Sequence, residues 1–572
     1  MEQQHSIYTA ATQCQDCYKC VRACLVKAIR IEKNHASILP ELCVLCGHCV
    51  EVCPAQAKRV RDDIGRVRLL LANPGPVVAS IAPSWVCEFP GVSAASLIAA
   101  IKQLGFHGVS ETSLGAQAVS AEISQMLRQA PNGLFISSAC PVTVEWIRKY
   151  QPRLIPCITR TLSPLLAHCK LLQQALGPAT KVVFFGPCIA KKLESDNRND
   201  LLALALTFQD LRRLLEQAKI TLEESPSGHH EAPWLIEPGG SGRFYPAEGG
   251  MLRTLHGVEN AELLCVSGIR NIQADIEGIE DIAQARPVFL EALSCSGGCI
   301  NGPAMTCKVG GGLVRKLKIF SQPAESKTTE ALAGLDLNET YRRDYLTSPT
   351  FDEHRIAAAL HQVDKHSSSD ELNCGGCGYD TCREFAQAML LNKAEPEMCV
   401  SFMRKQAQKK ANALLRSIPS GVVIVDKALK IVECNRSFAE MFDDDTQATY
   451  EGLGGLEDVP LSRVVPFADL FQLTLQSGKD ICRENYLVGQ RVLNLTIFSI
   501  QPGEIAGAVI QDVTEVQWRR QQIARNAREV LRRNLTIVQE IAHKLGEHMA
   551  DNEILLNSIA YSYSDETEED NP

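Results

Sequence analysis

Glu291-Ala292-Leu293-Ser294-Cys295-Ser296-Gly297-Gly298-Cys299 sets two cysteines on one glycine-bearing loop. Two more lie far upstream beside prolines, Cys140 in Ser138-Ala139-Cys140-Pro141 and Cys188 in Pro187-Cys188-Ile189-Ala190-Lys191. A cubane iron-sulfur cluster takes four thiolates, and these segments supply them from distant parts of the chain. Between them run short stretches such as Val77-Val78-Ala79-Ser80-Ile81 and Lys181-Val182-Val183-Phe184-Phe185. Each is β-branched or aromatic and ends at Pro or Gly, which predicts a buried strand followed by a loop. Residues 93–104 carry apolar residues at helical spacing. The expectation for residues 76–320 is an α/β domain whose strand-end loops hold the Cys-Pro and Pro-Cys motifs.

A chain of 572 residues should hold about three to five domains of ~100 to 200 residues each. A hydrophobic content of 45% allows real cores, and a net charge of -9 offers no broad basic surface for nucleic acid. Met1-Glu2-Gln3-Gln4-His5 starts neither a signal nor a transit peptide, and no apolar run approaches the ~18 residues of a membrane span. The expected compartment is the cytoplasm, without membrane attachment. There thiols stay reduced, so the 23 cysteines read as metal ligands rather than as a disulfide framework.

In residues 1–65 the run Cys14-x2-Cys17-x2-Cys20-x3-Cys24 is followed by Cys43-x2-Cys46-x2-Cys49-x3-Cys53-Pro54. It resembles the run of two-cluster bacterial ferredoxins, whose fourth cysteine ligates the other cluster. The resemblance implies one [4Fe-4S] cluster on Cys14, Cys17, Cys20 and Cys53 and another on Cys43, Cys46, Cys49 and Cys24. Zinc or free thiols are the bland alternative. Leu25 stands where proline is usual, which alters a turn but removes no ligand.

Residues 323–350, rich in Ser, Thr, Pro and charge, read as a linker. In 351–402 a short helix near 353–363 precedes Asn373-Cys374-Gly375-Gly376-Cys377-Gly378-Tyr379-Asp380-Thr381-Cys382, and Cys399 follows. These four thiols on and beside a Gly-rich loop suit a third [4Fe-4S] site, with structural zinc as the alternative. The segment resembles the small iron-sulfur domain found in carbon monoxide dehydrogenase and acetyl-CoA synthase systems. Residues 405–515 contain strands at 421–426, 430–435, 492–500 and 506–511 and a helix at 436–442, and resemble a PAS domain of unknown ligand. Residues 516–562 repeat apolar residues at helical spacing, from Ile523 to Leu555, as a coiled coil does. His543 reads as a surface histidine, and the acidic tail 563–572 as disordered. Cys87, Cys157, Cys169, Cys265, Cys307, Cys434 and Cys482 read as core thiols.

Residues 1 to about 320 resemble an [FeFe]-hydrogenase. Ser138-Ala139-Cys140-Pro141 is similar to the family's Thr-Ser-Cys-Cys-Pro. Residues 186–194 are similar to Met-Pro-Cys-x-x-Lys-x-x-Glu, and residues 291–302 to Glu-x-Met-x-Cys-x-x-Gly-Cys-x-x-Gly. The resemblance implies an H-cluster, a [4Fe-4S] cube joined through a cysteine sulfur to a two-iron unit with CO, cyanide and azadithiolate ligands. Carried over, Cys140, Cys188, Cys295 and Cys299 bind the cube and Cys299 bridges to the two-iron unit. Lys191 would donate to one cyanide, and Ser84 in Ile81-Ala82-Pro83-Ser84, beside Pro83, would contact the other.

The departures from the family matter equally. Ala139 stands where catalytic members carry a proton-relay cysteine, and its methyl can neither give nor take a proton. Of three acidic relay positions, Glu122 fits the first, while Ile123 and Met126 occupy the others. Gly186 and Leu293 replace two methionines, and Pro303-Ala304-Met305 replaces Gly-Gly-Gln-Pro. Losing the relay should slow turnover by ~10² to 10⁴-fold without preventing cluster binding.

The expected architecture is therefore multidomain, α/β and α+β: ferredoxin-like, H-cluster, small 4Fe-4S and PAS domains, then a coiled-coil helix. The expected cofactors are three accessory [4Fe-4S] clusters and the H-cluster. The expected function is a sensory hydrogenase, reading H2 or redox state at the H-cluster and relaying it through the PAS domain, with slow reversible H2 oxidation and proton reduction. Its expected partners are ferredoxin or another electron carrier, a kinase- or phosphatase-type signalling protein, and a second copy joined through the PAS domain and C-terminal helix. The alternatives are a catalytic ferredoxin-linked hydrogenase using another proton route, and an iron-sulfur scaffold lacking the two-iron unit, like the prelamin-binding relatives.

Overall fold

All strands of the central cysteine-bearing region run parallel to their neighbours. One sheet orders Gly108–Glu111, Val77–Ile81, Lys181–Gly186 and Leu204–Thr207, and a second orders Glu262–Ser267, Pro287–Leu293 and Gly133–Ile136. Parallel neighbours need long crossovers, which include the helices Ala94–Gln103, Ser113–Gln129, Pro164–Leu176 and Phe208–Gln217. Ser93 starts the first of these by accepting a hydrogen bond from the Ser96 N–H at 3.1 Å. This computed structural model describes residues 5–222, 234–279, 283–307, 309–324, 334–346 and 349–563.

Strand Val77–Ile81 is buried along its whole length, as the strands of a parallel sheet covered on both faces are. Ser80 is tolerated there because His168 pairs Nδ1 with its hydroxyl and Nε2 with that of Ser110, both at 2.9 Å. Complete burial pushes the His168 imidazole down to about 3, so the ring stays neutral and serves as a polar clamp between strands.

The chain forms two compact units, Met1–Met403 and Arg404–Pro572. In the first, the N-terminal region closes on itself by antiparallel pairing of Ile7–Thr9 with Lys58–Val60 and of Ile29–Glu32 with His35–Ile38. It is tied to the parallel-sheet region by buried charges. Lys192, wholly buried, reaches Asp63 at 2.9 Å, and Arg61 holds Asp196 at 2.8 Å.

Residues 334–346 correct the expectation of a free linker. Leu162 N–H donates to Leu337 C=O at 2.8 Å, Asn338 bridges Thr161, and the Tyr341 hydroxyl donates to Thr161 C=O at 2.8 Å. The buried Leu337 and half-buried Tyr341 anchor an otherwise polar stretch along the domain.

In the second unit a five-stranded antiparallel sheet orders Ile431–Cys434, Gly421–Asp426, Ile505–Asp512, Arg491–Gln501 and Ile481–Val488. Phe438, Phe467, Phe471, Leu493 and Ile497 fill its core. Strand Ile481–Val488 and helices Asp444–Leu453 and Ala468–Ser477 went unread in the sequence; this strand is largely exposed and shows no clean alternation. The expected 436–442 helix is shorter, Arg436–Ala439. Helix Thr514–Tyr563 runs 50 residues, and His543 is exposed on it. The acidic tail from residue 564 lies outside the described residues. Cys265 and Cys482 are exposed rather than core, because each sits on an edge strand of its sheet.

Candidate metal centres

The carboxyl ends of four parallel strands deliver the motif residues to one place. Val77–Ile81 leads into Pro83 and Ser84, Gly133–Ile136 into Ala139 and Cys140, Lys181–Gly186 into Cys188, and Pro287–Leu293 into Cys295 and Cys299. A cavity of about 90 Å³ is lined there by Pro83, Ser84, Ala139, Cys188, Lys191 and Cys299, among others. Loss of solvent pushes the Cys188 thiol up to about 11, with the Cys140 charge adding to the rise. Burial likewise lifts Cys295 and Cys299 well above the usual range, reinforced by their neighbours in the set. Such buried sulfurs become thiolates together only against strong positive charge, which bound iron supplies.

The Ser84 hydroxyl is buried in this wall with no hydrogen-bond partner, an unusual state for such a group. Lys191 Nζ, on the same wall, donates to Glu194 Oε2 at 2.7 Å and to Ser163 Oγ at 3.2 Å. Thiols on one side and an unused hydroxyl and an ammonium on the other fit a cube bearing an anionic two-iron unit. Cys140, Cys188, Cys295 and Cys299 would hold the cube, and Ser84 and Lys191 would face the cyanides. Such a unit supplies heterolytic H2 chemistry when bound.

Sequence reading missed several residues of the cavity wall. Phe184, Thr112, Met251 and Glu291 all line it. Gly186 makes room for Phe184: a Cβ there would come within 2.3 Å of the ring. An aromatic ring thus occupies space beside the position where the family carries methionine. Glu291 accepts from Gly249 N–H at 2.7 Å and Met251 N–H at 3.1 Å. Burial outweighs these donors and pushes its carboxyl up to about 7. Its place at the head of the third motif was the only available signal.

Cys14, Cys17, Cys20 and Cys53 line one small enclosed cavity together with Lys58. Burial raises Cys43 to about 11 and Cys46 to about 12, and the Cys24 charge contributes to both. Cys24 therefore sits with Cys43, Cys46 and Cys49, whose own thiol is raised by burial and by all three. Gly47, next to Cys46, lies against Ile189, next to Cys188: a Cβ there would come within 3.0 Å of the Ile189 Cδ1, so the second set borders the central one.

In the small domain burial raises Cys377, with the charges of Cys399 and Cys374 adding to it. Cys382 opens helix Cys382–Leu390, and its N–H donates at 2.7 Å to Asn373 Oδ1, next to Cys374. Among the described residues no group of His, Cys, Asp or Glu side chains closes on a single ion.

Residues 75–303 match the iron only hydrogenase large subunit, C-terminal domain. A 4Fe-4S dicluster domain matches residues 13–57, an Fe-S cluster family residues 370–401, and a PAS domain residues 410–481. The chain is 25% identical over 324 residues to the NADP-reducing hydrogenase subunit HndD of Solidesulfovibrio fructosivorans, covering 46% of this chain and 55% of that protein. It is 25% identical over 383 residues to iron hydrogenase 1 of Clostridium pasteurianum, covering 53% and 65%. The chain thus spans between half and two thirds of the length of these relatives. The solved HydA1 [FeFe]-hydrogenase of Chlamydomonas reinhardtii matches at 16% identity and TM-score 0.41, covering 50% of this chain and 100% of that one. The protein is a hydrogenase-like iron-sulfur protein with a PAS domain, and no described helix is long and apolar enough to cross a membrane.

In the hydrogenase domain Ala139 lies on the cavity wall. Glu122, the one acidic residue aligned with the relay, is exposed and lines a separate cavity with Gln125, Met126 and Arg160. A second cavity of about 250 Å³ abuts the Lys191 side, lined by Ser138, Ser163, Glu194, Tyr341 and Glu339.

Proposed function

We propose that this chain is a cytoplasmic sensory hydrogenase. An H-cluster in the hydrogenase domain would take up the redox poise set by H2 or the electron pool, and the PAS domain and C-terminal helix would pass that state to a signalling partner. The observation that carries the reading is Ala139 in the wall of a cavity whose thiols, Ser84 and Lys191 suit the whole H-cluster. The chain's own residues can bind and orient the two-iron unit, while the side chain at position 139 cannot move a proton, so turnover would be slow and the bound state long-lived.

The accessory cysteine sets support electron exchange with ferredoxin or a similar carrier. Helix Thr514–Tyr563 supports pairing with a second copy: Leu531, Leu535, Val538, Leu545, Met549, Leu556 and Ile559 are all exposed. With Ala542 and Asn552 they repeat at alternating four- and three-residue steps, a seam no single helix can cover. The test is infrared absorption of protein matured with a synthetic two-iron precursor, under H2 and under argon. The expected result is CO and cyanide bands that shift with H2. No such bands would overturn the reading in favour of a redox scaffold, and turnover at the rate of catalytic hydrogenases would overturn the sensory role.

A further inference from the structure

The small domain is docked on the N-terminal cysteine module by its own ligand loop. Gly378, directly after Cys377, has φ +94° and lies against Val21 and Arg22: a Cβ there would come within 2.9 Å of Val21 Cγ1 and 3.2 Å of the Arg22 nitrogen. Val21 and Arg22 lie between Cys20 and Cys24, which belong to the two different N-terminal sets. Cationic side chains of the module clamp the loop from outside. Lys27 Nζ donates to Gly378 C=O at 2.6 Å, and Arg22 donates to Gly376 C=O at 3.3 Å and to Cys17 C=O at 2.9 Å.

A second line of contacts fixes the far side of the same interface. Ile31 N–H donates to Lys393 C=O at 2.9 Å, and Lys33 N–H to Glu395 Oε1 at 2.7 Å. Between the sets lies Tyr379, only 4% exposed, with its ring packed at 5.9 Å on Phe385 and its hydroxyl buried without a hydrogen-bond partner. Lys27 Nζ of the N-terminal module also stands 5.7 Å from the centroid of that ring. Val21, Cys24, Tyr379 and Cys399 share one apolar core, which also takes in Cys140.

We propose that the Cys374, Cys377, Cys382 and Cys399 site is one arm of a three-way electron junction centred on the Cys24, Cys43, Cys46 and Cys49 site. Through Gly47, where a Cβ would come within 2.6 Å of Pro303 and 3.0 Å of Ile189, the central set borders the loop that carries Cys188; through Val21 and Arg22 it borders the Cys20 set, and through Gly378 it borders Cys377. The exchange is of single electrons: the reduced cluster at Cys24 gives up one electron, the oxidised cluster at Cys377 gains it, and no bond or proton moves. The chain continues from Cys399 straight into helix Val400–Ser417, at the start of which the small-domain arm ends. The inference rests on the reading of these cysteines as cluster ligands and does not depend on the H-cluster.

The test uses the full chain with its accessory clusters and without the two-iron unit, reduced stepwise with dithionite. Electron paramagnetic resonance of the reduced protein should show spin–spin broadening, and Cys377→Ala should remove the part due to the small-domain cluster, with a matching loss of iron, while the coupling between the other clusters persists. In Gly378→Val, which wedges the loop off Val21, and in the milder Lys27→Met, iron content should stay and the broadening should weaken. Unchanged spectra in both interface variants, or unchanged iron in Cys377→Ala, would overturn the junction. Because no H2 chemistry enters this test, its failure would leave the sensory reading standing, and failure of the infrared test would leave the junction standing.

Discussion

Lys191, on the wall of the first cavity, and Glu194, which lines the neighbouring one, lie one turn apart on helix Lys191–Asn197 and are joined by a 2.7 Å hydrogen bond. The carboxylate therefore competes for the ammonium that would face a cyanide ligand. Glu194→Gln should release Lys191 toward the cavity and shift the cyanide bands of matured protein. Loss of one charged hydrogen bond should lower stability by about 2 kcal/mol. Bands that do not move would show that Lys191 makes no contact with the ligand.

Ala139→Cys restores a thiol to the cavity wall. If the missing relay is what limits turnover, H2 evolution by matured protein should rise by ~10²-fold or more. An unchanged rate would mean that protons reach the site by another route.

Glu291 should make stability depend on pH near neutrality. Burial lifts its carboxyl from 4.5 to about 7 in the folded protein, so the folded state holds this proton more tightly than the unfolded chain. The associated stability, about 3 kcal/mol for that shift, is complete below the unfolded value and is lost as pH rises through 7. Glu291→Gln should flatten the pH dependence of the thermal midpoint across this window in protein without the two-iron unit. A parallel curve for the variant would refute the assignment.

Lys192 is fully buried between Asp63 at 2.9 Å and Asp210 at 3.5 Å. Burial alone would raise the Asp63 carboxyl, but the Lys192 and Arg61 charges outweigh it and hold it below 3.8. The stability from Asp63 is therefore present above that value and lost as pH falls through the folded one. Lys192→Met should cost about 3 kcal/mol in urea unfolding, since it strands buried carboxylates. A cost near zero would show that Arg61 and Arg66 suffice.

Leu535→Asp with Val538→Asp should split the protein from dimer to monomer in sedimentation equilibrium while leaving the clusters in place. A monomeric wild type would remove the paired helix from the proposal.

Much of the chemistry was legible because it is local. Cysteine runs at short spacing, the Cys-Pro and Pro-Cys loops, and the strand at Val77–Ile81 all follow from neighbouring residues. The 334–346 strap was not, since Leu337 and Tyr341 find their partners on Leu162 and Thr161 more than a hundred positions away. The exposure of Cys265 and Cys482 likewise depended on strand order, which puts both on sheet edges.

By itself the sequence determined which residues bear sulfur, that alanine stands at position 139, and that a PAS domain and long helix follow. Only the tertiary structure decided that Phe184 occupies the space beside Gly186 and that Gly378 rests on Val21. The physical reason is range. Ligand spacing and helical periodicity are written within a few residues, whereas desolvation, close approach and shared charge depend on segments that only folding brings together.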